Sequence, residues 1–213
     1  NLARDGDFRA AGFFVAADHD ELFAGEEVID FLGIDAADAA VFAGTFDIDF
    51  DGDVGHDRGG RVGYRMALDH PGRVSRLCVL DIVPTYAMWH NFTVKLAMKT
   101  YHWLFLAQPN PLPEMLIERA PVAYLDYTLA SWTKSKDLSA FSESALAEYR
   151  THYATPEHIH ATCNDYRAGA TYDLAADEAD RTAGKKIACP VLALWGDAGI
   201  PSETESPLQA WRP

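Results

Sequence analysis

Two short apolar runs stand out along the chain because turn residues bound them sharply. Residues 74–83 (VSRLCVLDIV) read as a core strand, apolar on both faces toward its end and stopped by Pro84. Residues 189–196 (CPVLALWG) give a second strand, held between Pro190 and Gly196. Before the first, residues 61–70 (RVGYRMALDH) predict a helix that ends at Pro71, and between the two 88–183 form a long stretch of helical spacing. Aromatic residues are dense in that stretch, and prolines at 109, 111, 113, 121 and 156 divide it into several short helices. Earlier in the chain, residues 26–32 (EEVIDFL) fit an amphipathic helix stopped by Gly33, and residues 39–43 (AAVFA) fit a buried strand or a helix end. Strand, helix and strand, then a helical block, then another strand together predict an α/β sheet with a helical insertion.

Composition agrees with a packed core: 213 residues, 48% of them hydrophobic and 12% aromatic. Three scattered cysteines (Cys78, Cys163, Cys189) contain no CxxC pair and fit a reduced, cytoplasmic chain better than a disulfide scaffold or a zinc site. No apolar run is long enough to span a bilayer. The net charge of −14 argues against nucleic acid or an anionic membrane as partner. That charge is concentrated at one end: residues 1–56 carry 14 acids against Arg4 and Arg9 alone. Residues 45–54 (TFDIDFDGDV) place an aspartate at every second position, and burying four carboxylates without partners would be very costly. Asp47, Asp49, Asp51 and Gly52 imitate the start of a calcium loop. The twelfth position, which needs a bidentate Glu, is Arg58, so no metal is expected there.

The chemistry-bearing run is Gly55-His56-Asp57-Arg58-Gly59-Gly60-Arg61. It has the G-x-nucleophile-x-G form of a strained strand-to-helix elbow, with Asp57 in the place usually held by Ser. Glycines two residues to either side let the backbones pass closely, and the N-terminus of the following helix favours an anion at Asp57. A carboxylate nucleophile attacks carbon and forms an ester that water must hydrolyse. The plainer alternative is a Gly-rich turn with Asp57 as helix N-cap. Arg58 and Arg61, three positions apart on the predicted helix, suit forked recognition of a carboxylate, or else form a surface arginine pair. His56, next to Asp57, reads as structural, because adjacent residues on an elbow point apart. His152, His158 and His160 do not share one helix face and read as solvated loop histidines rather than metal ligands.

The runs GHDRGGRVGYRMALDHP, VLDIVPTY, YHWLFLAQP and DYRAGA follow one another in an order that resembles the fluoroacetate (haloacetate) dehalogenases of the α/β-hydrolase superfamily, from about Gly55 to Arg212. The resemblance implies Asp57 as nucleophile and Arg58 with Arg61 as the clamp on a substrate carboxylate. It implies His102, Trp103 and Tyr166 as the donors that hold the leaving halide, with Trp132 lining the same pocket. Asp81 corresponds to the acid that orients a catalytic histidine, and Asp197 (in WGDAG) ranks second for that role. One N–H from each of the His102 and Trp103 rings and the hydroxyl of Tyr166 can donate to a departing halide, although aromatic packing in a helical cap is the common fate of such residues.

The fold this implies is α/β, an α/β-hydrolase-type mainly parallel sheet with an inserted helical cap, incomplete at both ends. The expected division is 1–86 and 187–213 for the α/β core and 87–186 for the cap, with 1–54 atypical. The superfamily order puts the catalytic histidine after the acid, near the C-terminus. The last histidine here is His160, so that base is expected beyond the end of the chain, and the early HGFP-like loop is absent from residues 1–54. The expected partner is a small anionic 2-haloacid, with no cofactor, no nucleic acid and no membrane; a homodimer is left open. Two alternatives stand beside hydrolytic dehalogenation. An epoxide hydrolase would draw on Tyr124, Tyr127, Tyr153 or Tyr166, although Arg58 speaks against it; an inactive carboxylate-binding fragment is the other.

Overall fold

Among the described residues, four strands hydrogen-bond into one sheet in the order β1-β4-β3-β2. The computed structural model describes residues 10–16, 53–196 and 207–212. The strands are β1 (Ala10–Ala16), β2 (Asp53–His56), β3 (Leu77–Leu80) and β4 (Val191–Gly196). β2, β3 and β4 run parallel, with His56 opposite Leu80 and Leu80 opposite Leu194, while β1 pairs antiparallel with β4. The strand β1 lies where no strand was expected. The helix expected at 26–32, the strand or helix end expected at 39–43, and most of the aspartate run fall outside the described residues.

β3 is shorter than the ten-residue run that predicts it, and the cause is local. Asp81 takes a left-handed φ of 56°, which ends the extended backbone. Its N–H donates to the Leu194 carbonyl at 2.7 Å, and its Oδ1 accepts from the Gly196 N–H at 2.9 Å. The chain then leaves the sheet through Ile82 and Val83, both buried.

Helix α1 (Arg58–Asp69) connects β2 to β3 and starts three residues earlier than its apolar pattern suggests. Its inner face is Gly60, Arg61, Gly63, Tyr64 and Ala67. That face reaches the sheet closely: a Cβ on Gly63 would lie 3.0 Å from Leu77 Cδ1. Tyr64, Ala67, Val74, Leu77, Val79, Ile82, Val191 and Ala193 form the core beside it. Each fully buried aliphatic or aromatic side chain of this kind stabilises by about 1.5–3 kcal/mol. α2 (Thr85–His90) follows β3, and the C-terminal α10 (Pro207–Trp211) sets its indole edge-on to Tyr64 with the ring N–H on the Ile82 carbonyl.

The chain divides into two compact units. One holds residues 3–96 and 175–213; the other holds 97–174. The limits lie about ten residues inside the helical block expected at 87–186. The reason is polar: Tyr86 N–H and Arg65 both bind Asp177, so α2 and most of α9 (Tyr172–Ala183) are tied to α1 and belong with the sheet.

The second unit is entirely helical in its regular structure. After α3 (Val94–Lys99) come α4 (Tyr101–Leu106), α5 (Leu112–Ile117), α6 (Pro121–Trp132), α7 (Glu143–Tyr153) and α8 (Pro156–Ala170). The prolines act as starts: Pro121 and Pro156 occupy the first turn of α6 and α8, where no N–H is needed. Ser142 and Thr155 cap α7 and α8 through their hydroxyls. Trp103, Leu106, Ile117, Leu146, Ile159 and Cys163 are buried. Two ion pairs bind the helices laterally, Arg150 to Asp126 through both carboxylate oxygens and Arg167 to Glu114 in the same forked manner.

Candidate active site

Asp57 and Asp81 are the residues immediately after paired ends of two adjacent parallel strands, β2 and β3. The carboxyl edge of a parallel sheet is where open α/β folds place their ligands. The Asp57 N–H donates to the Leu80 carbonyl at 3.2 Å, which fastens the elbow to the neighbouring strand.

Asp57 itself is strained. Its φ of 48° and ψ of −116° lie in a region that non-glycine residues avoid at a cost of about 1–3 kcal/mol. It occupies the N-cap position of α1, yet its side chain makes no capping hydrogen bond. An aspartate serving as an ordinary cap would spend its carboxylate on the N2 or N3 N–H. The capping alternative is thereby excluded for this side chain, while the carbonyl of Asp57 still accepts the Arg61 N–H at 3.2 Å.

The glycines make that turn sterically feasible. A Cβ on Gly55 would lie 2.5 Å from Gly59 C, Gly59 O and Gly60 N, all backbone atoms. A Cβ on Gly60 would lie 2.8 Å from the Gly55 carbonyl oxygen and 2.9 Å from Ile82 Cδ1. The first turn of the helix therefore rests directly on the strand that feeds it. The sequence motif points to Gly55 and Gly59; Gly60 is a third contact it does not single out.

Arg58 and Arg61 are not a surface pair. Arg61 is 5% exposed, and its Nη1 donates to the Val83 carbonyl and to Thr85 Oγ1, both at 3.1 Å. The Nε and Nη1 atoms of Arg58 are buried as well. Arg65, one turn further on, is a cation the sequence reading passed over. It binds Asp69, Asp177 and Asp180, and those carboxylates hold its guanidinium charged, against the opposing effect of its burial.

In the helical unit, His102 and Trp103 from α4 meet Tyr166 from α8. The rings of His102 and Trp103 each stand edge-on to Tyr166 with centroids 5.7 Å away, and all three residues are buried. Trp132, at the end of α6, lies 5.4 Å from the His102 ring and is half exposed. The four residues named from the sequence thus share one aromatic cluster. Tyr124 and Tyr153 stack beside each other at 6.2 Å, and burial pushes both hydroxyls well above the usual phenol range.

The histidines at 152, 158 and 160 are on helices α7 and α8, not in loops as expected. Helix α7 carries His152 to its last turn, and the Thr155–Pro156 start puts His158 and His160 inside α8. His158 Nδ1 lies 2.6 Å from the His152 carbonyl, and His160 Nδ1 lies 3.0 Å from Glu114 Oε1. Among the described residues no group of three His, Cys, Asp or Glu side chains could hold a metal ion. The three cysteines are free, and burial pushes the Cys78 thiol up to about 12 and that of Cys163 to about 11, so neither is a thiolate nucleophile at neutral pH. No described helix is long and apolar enough to cross a membrane. Asp197 lies outside the described residues.

A strained acidic elbow at the carboxyl edge of a parallel sheet, followed by a helix packed on that sheet, is the architecture of the α/β-hydrolases, and the chain belongs to that superfamily. A solved structure from Nostoc sp PCC 7120, described as an α/β-hydrolase, is 52% identical and superposes with a TM-score of 0.69 over 75% of this chain and 53% of its own. Within the superfamily, the chain is 42% identical over 160 residues to a fluoroacetate dehalogenase of Burkholderia sp, covering 75% of this chain and 52% of that protein. It is 30% identical to a soluble epoxide hydrolase of Corynebacterium sp. (strain C12), over 68% of this chain and 50% of that one. The chain spans about half the length of the curated relatives it matches. No family model matches it.

Proposed function

We propose that this chain carries the nucleophile and substrate-binding residues of a hydrolase that removes halide from short 2-haloacids such as fluoroacetate. The observation that carries the reading is Asp57: a strained carboxylate at a helix N-terminus that does not cap the helix. One Asp57 oxygen attacks the α-carbon in line, the carbon–halogen bond breaks with its electron pair leaving on the halide, and an aspartyl ester forms. Arg58 and Arg61 take the substrate carboxylate, which pulls the ground state into place and offsets the negative charge of both reactants. His102, Trp103 and Tyr166, in the helical cap, donate to the departing halide. Water then cleaves the ester with the help of a general base. Asp81, fixed by Gly196 N–H, is the acid that would orient a histidine in that role. The 42% identity to the fluoroacetate dehalogenase supports the substrate class.

A second reading, epoxide opening by the same aspartate, is favoured by the stacked pair of Tyr124 and Tyr153 and by the 30% identity to the soluble epoxide hydrolase. One experiment separates the two. The purified chain is incubated with fluoroacetate, chloroacetate or a small alkyl epoxide, and its intact mass is followed with time. A carboxymethyl adduct from the haloacids, located at Asp57 by peptide mapping and lost in Asp57→Asn, is the expected result. An adduct from the epoxide alone would assign the chain to the second reading, and an adduct that persists in Asp57→Asn would overturn both.

A further inference from the structure

Helix α8 carries two stripes of side chains. Ile159, Cys163, Tyr166 and Gly169 are its buried face. His160, Asn164 and Arg167, at i, i+4 and i+7, form a polar stripe alongside it. That stripe is bonded end to end. Arg167 Nη1 donates to Asn164 Oδ1 at 2.9 Å, which leaves the Asn164 amide nitrogen toward His160 Nε2, also at 2.9 Å. An amide NH2 group only donates, so Nε2 accepts and the ring proton is on Nδ1, 3.0 Å from Glu114 Oε1.

Arg167 reaches two other segments at once. Its Nη1 and Nη2 fork onto the Glu114 carboxylate at 2.7 and 2.8 Å, and its Nε donates to the Gln108 carbonyl at 2.8 Å. Glu114 is 5% exposed, in the first turn of α5. Gln108 moves with α4: its N–H donates to the Phe105 carbonyl at 3.1 Å and its side-chain amide to the Leu104 carbonyl at 2.8 Å. One planar guanidinium therefore ties the end of α4 and the start of α5 to α8. The residue before Arg167 is Tyr166, and His102 and Trp103 lie within two turns of Gln108. The three halide donors come from α4 and α8, so their spacing is only as fixed as those two helices are against each other. Edge-on rings at 5.7 Å can slide; a forked ion pair and a hydrogen-bonded carbonyl resist it.

We propose that Arg167 and Glu114 are positioning residues for the halide pocket: a brace that holds Tyr166 at a set distance from His102 and Trp103. The inference rests on the reading of those three as halide donors, and it adds two residues that never touch the halide. Donors stabilise a departing anion only when they stand about 2.7–3.1 Å from it. Fluoride is the smaller ion and forms the shorter hydrogen bonds, so a loosened cluster fails it sooner than chloride.

The test is single-turnover alkylation of Asp57 in the full chain by fluoroacetate and by chloroacetate, read as the ratio of the two rates. Arg167→Lys keeps the charge but cannot bond Gln108 and both Glu114 oxygens together. It is expected to lower the fluoroacetate-to-chloroacetate ratio about tenfold, inside the roughly hundredfold that a misplacement of about 1 Å can cost. Glu114→Gln, which keeps one acceptor for the fork, lowers it less, and the double variant no further than Arg167→Lys alone. The control is Arg150→Lys, which breaks the other forked pair, between α7 and α6, and leaves the ratio unchanged. If Arg167→Lys melts the protein, Glu114→Gln carries the comparison with Arg150→Lys. Rates that fall equally for both acids, or an equal shift of the ratio in Arg150→Lys, would overturn the brace. A ratio unchanged in Trp103→Phe would instead overturn the halide-donor reading on which it rests.

Discussion

Among the described glycines the closest approach is between backbones, at the elbow, and a single methyl group measures it. In Gly55→Ala the new Cβ would lie 2.5 Å from three backbone atoms of Gly59 and Gly60. Ordinary carbon contacts sit near 3.5–4.0 Å, so the deficit is about 1 Å on each. A side chain could rotate away from such a clash; these peptide groups begin α1 and cannot move without lifting the helix from Leu77. Overpacking usually costs about 1–3 kcal/mol, and an immovable backbone puts this variant at or above the upper end. For a chain of this size that is a fall in melting temperature of roughly 6–12 °C. Gly60→Ala is expected to cost less, because one of its two close neighbours is the mobile Ile82 Cδ1. Gly72→Ala is the control: nothing lies within 4 Å of its Cβ, and its melting point stays within about 2 °C of the parent. Thermal unfolding followed by circular dichroism ranks the three. Were Gly55→Ala to melt with Gly72→Ala, the close approach of strand and helix at Asp57 would not exist, and the strain argued for the nucleophile would lose its cause.

Two further outcomes follow from the helical unit. Glu114 is held down to about 2, chiefly by the forked hydrogen bond from Arg167 with help from His160 and Asn110, so its folded pKa lies below the unfolded one. Its stabilisation is complete above the ordinary carboxylate range and is lost as pH falls through that range toward 2. Urea midpoints should drop over that interval in the parent and stay flatter in Glu114→Gln. A parent curve that is flat from pH 5 to 2 would remove the pair from the list of what holds α5 to α8. Trp103→Phe keeps the ring against Tyr166 but deletes the indole N–H. It should raise the barrier to single-turnover alkylation by roughly 2–4 kcal/mol for fluoroacetate and by less for chloroacetate, whose weaker carbon–halogen bond needs less help. An equal effect on both acids would leave Trp103 as packing alone.

What could be read from the sequence was local. Gly55, Asp57 and Gly59 lie within five residues, and the steric need for small residues around a strained nucleophile is written into that spacing. The β3 and β4 runs were visible for the same reason, as short apolar segments between turn residues. β3 still proved shorter, because the positive φ at Asp81 depends on hydrogen bonds to Leu194 and Gly196, more than a hundred residues away. The histidines of α7 and α8 were misplaced into loops because their helices have weak amphipathic patterns; the Ser142 and Thr155 caps, with Pro156, were the signal that could have found them.

The arginines show where local reading stops and why. Spacing placed Arg58 and Arg61 on one helix turn, and that much the helix preserves. Whether such a pair is solvated or buried is decided by what returns to cover it. Here Val83 and Thr85, which follow β3, return to it more than twenty residues later. An Arg four residues after Asp57 would look the same in sequence if it pointed into water. Buried at 5% exposure, Arg61 donates through Nη1 to the Val83 carbonyl and to the Thr85 hydroxyl. Each of those acceptors is ordinary alone, a valine carbonyl and the hydroxyl of a Thr after a proline. Together they turn a position that polarity alone would leave on the surface into a fixed, charged fork beside the nucleophile's own helix turn. The direction of that fork is set by tertiary structure; the motif supplies only the residue.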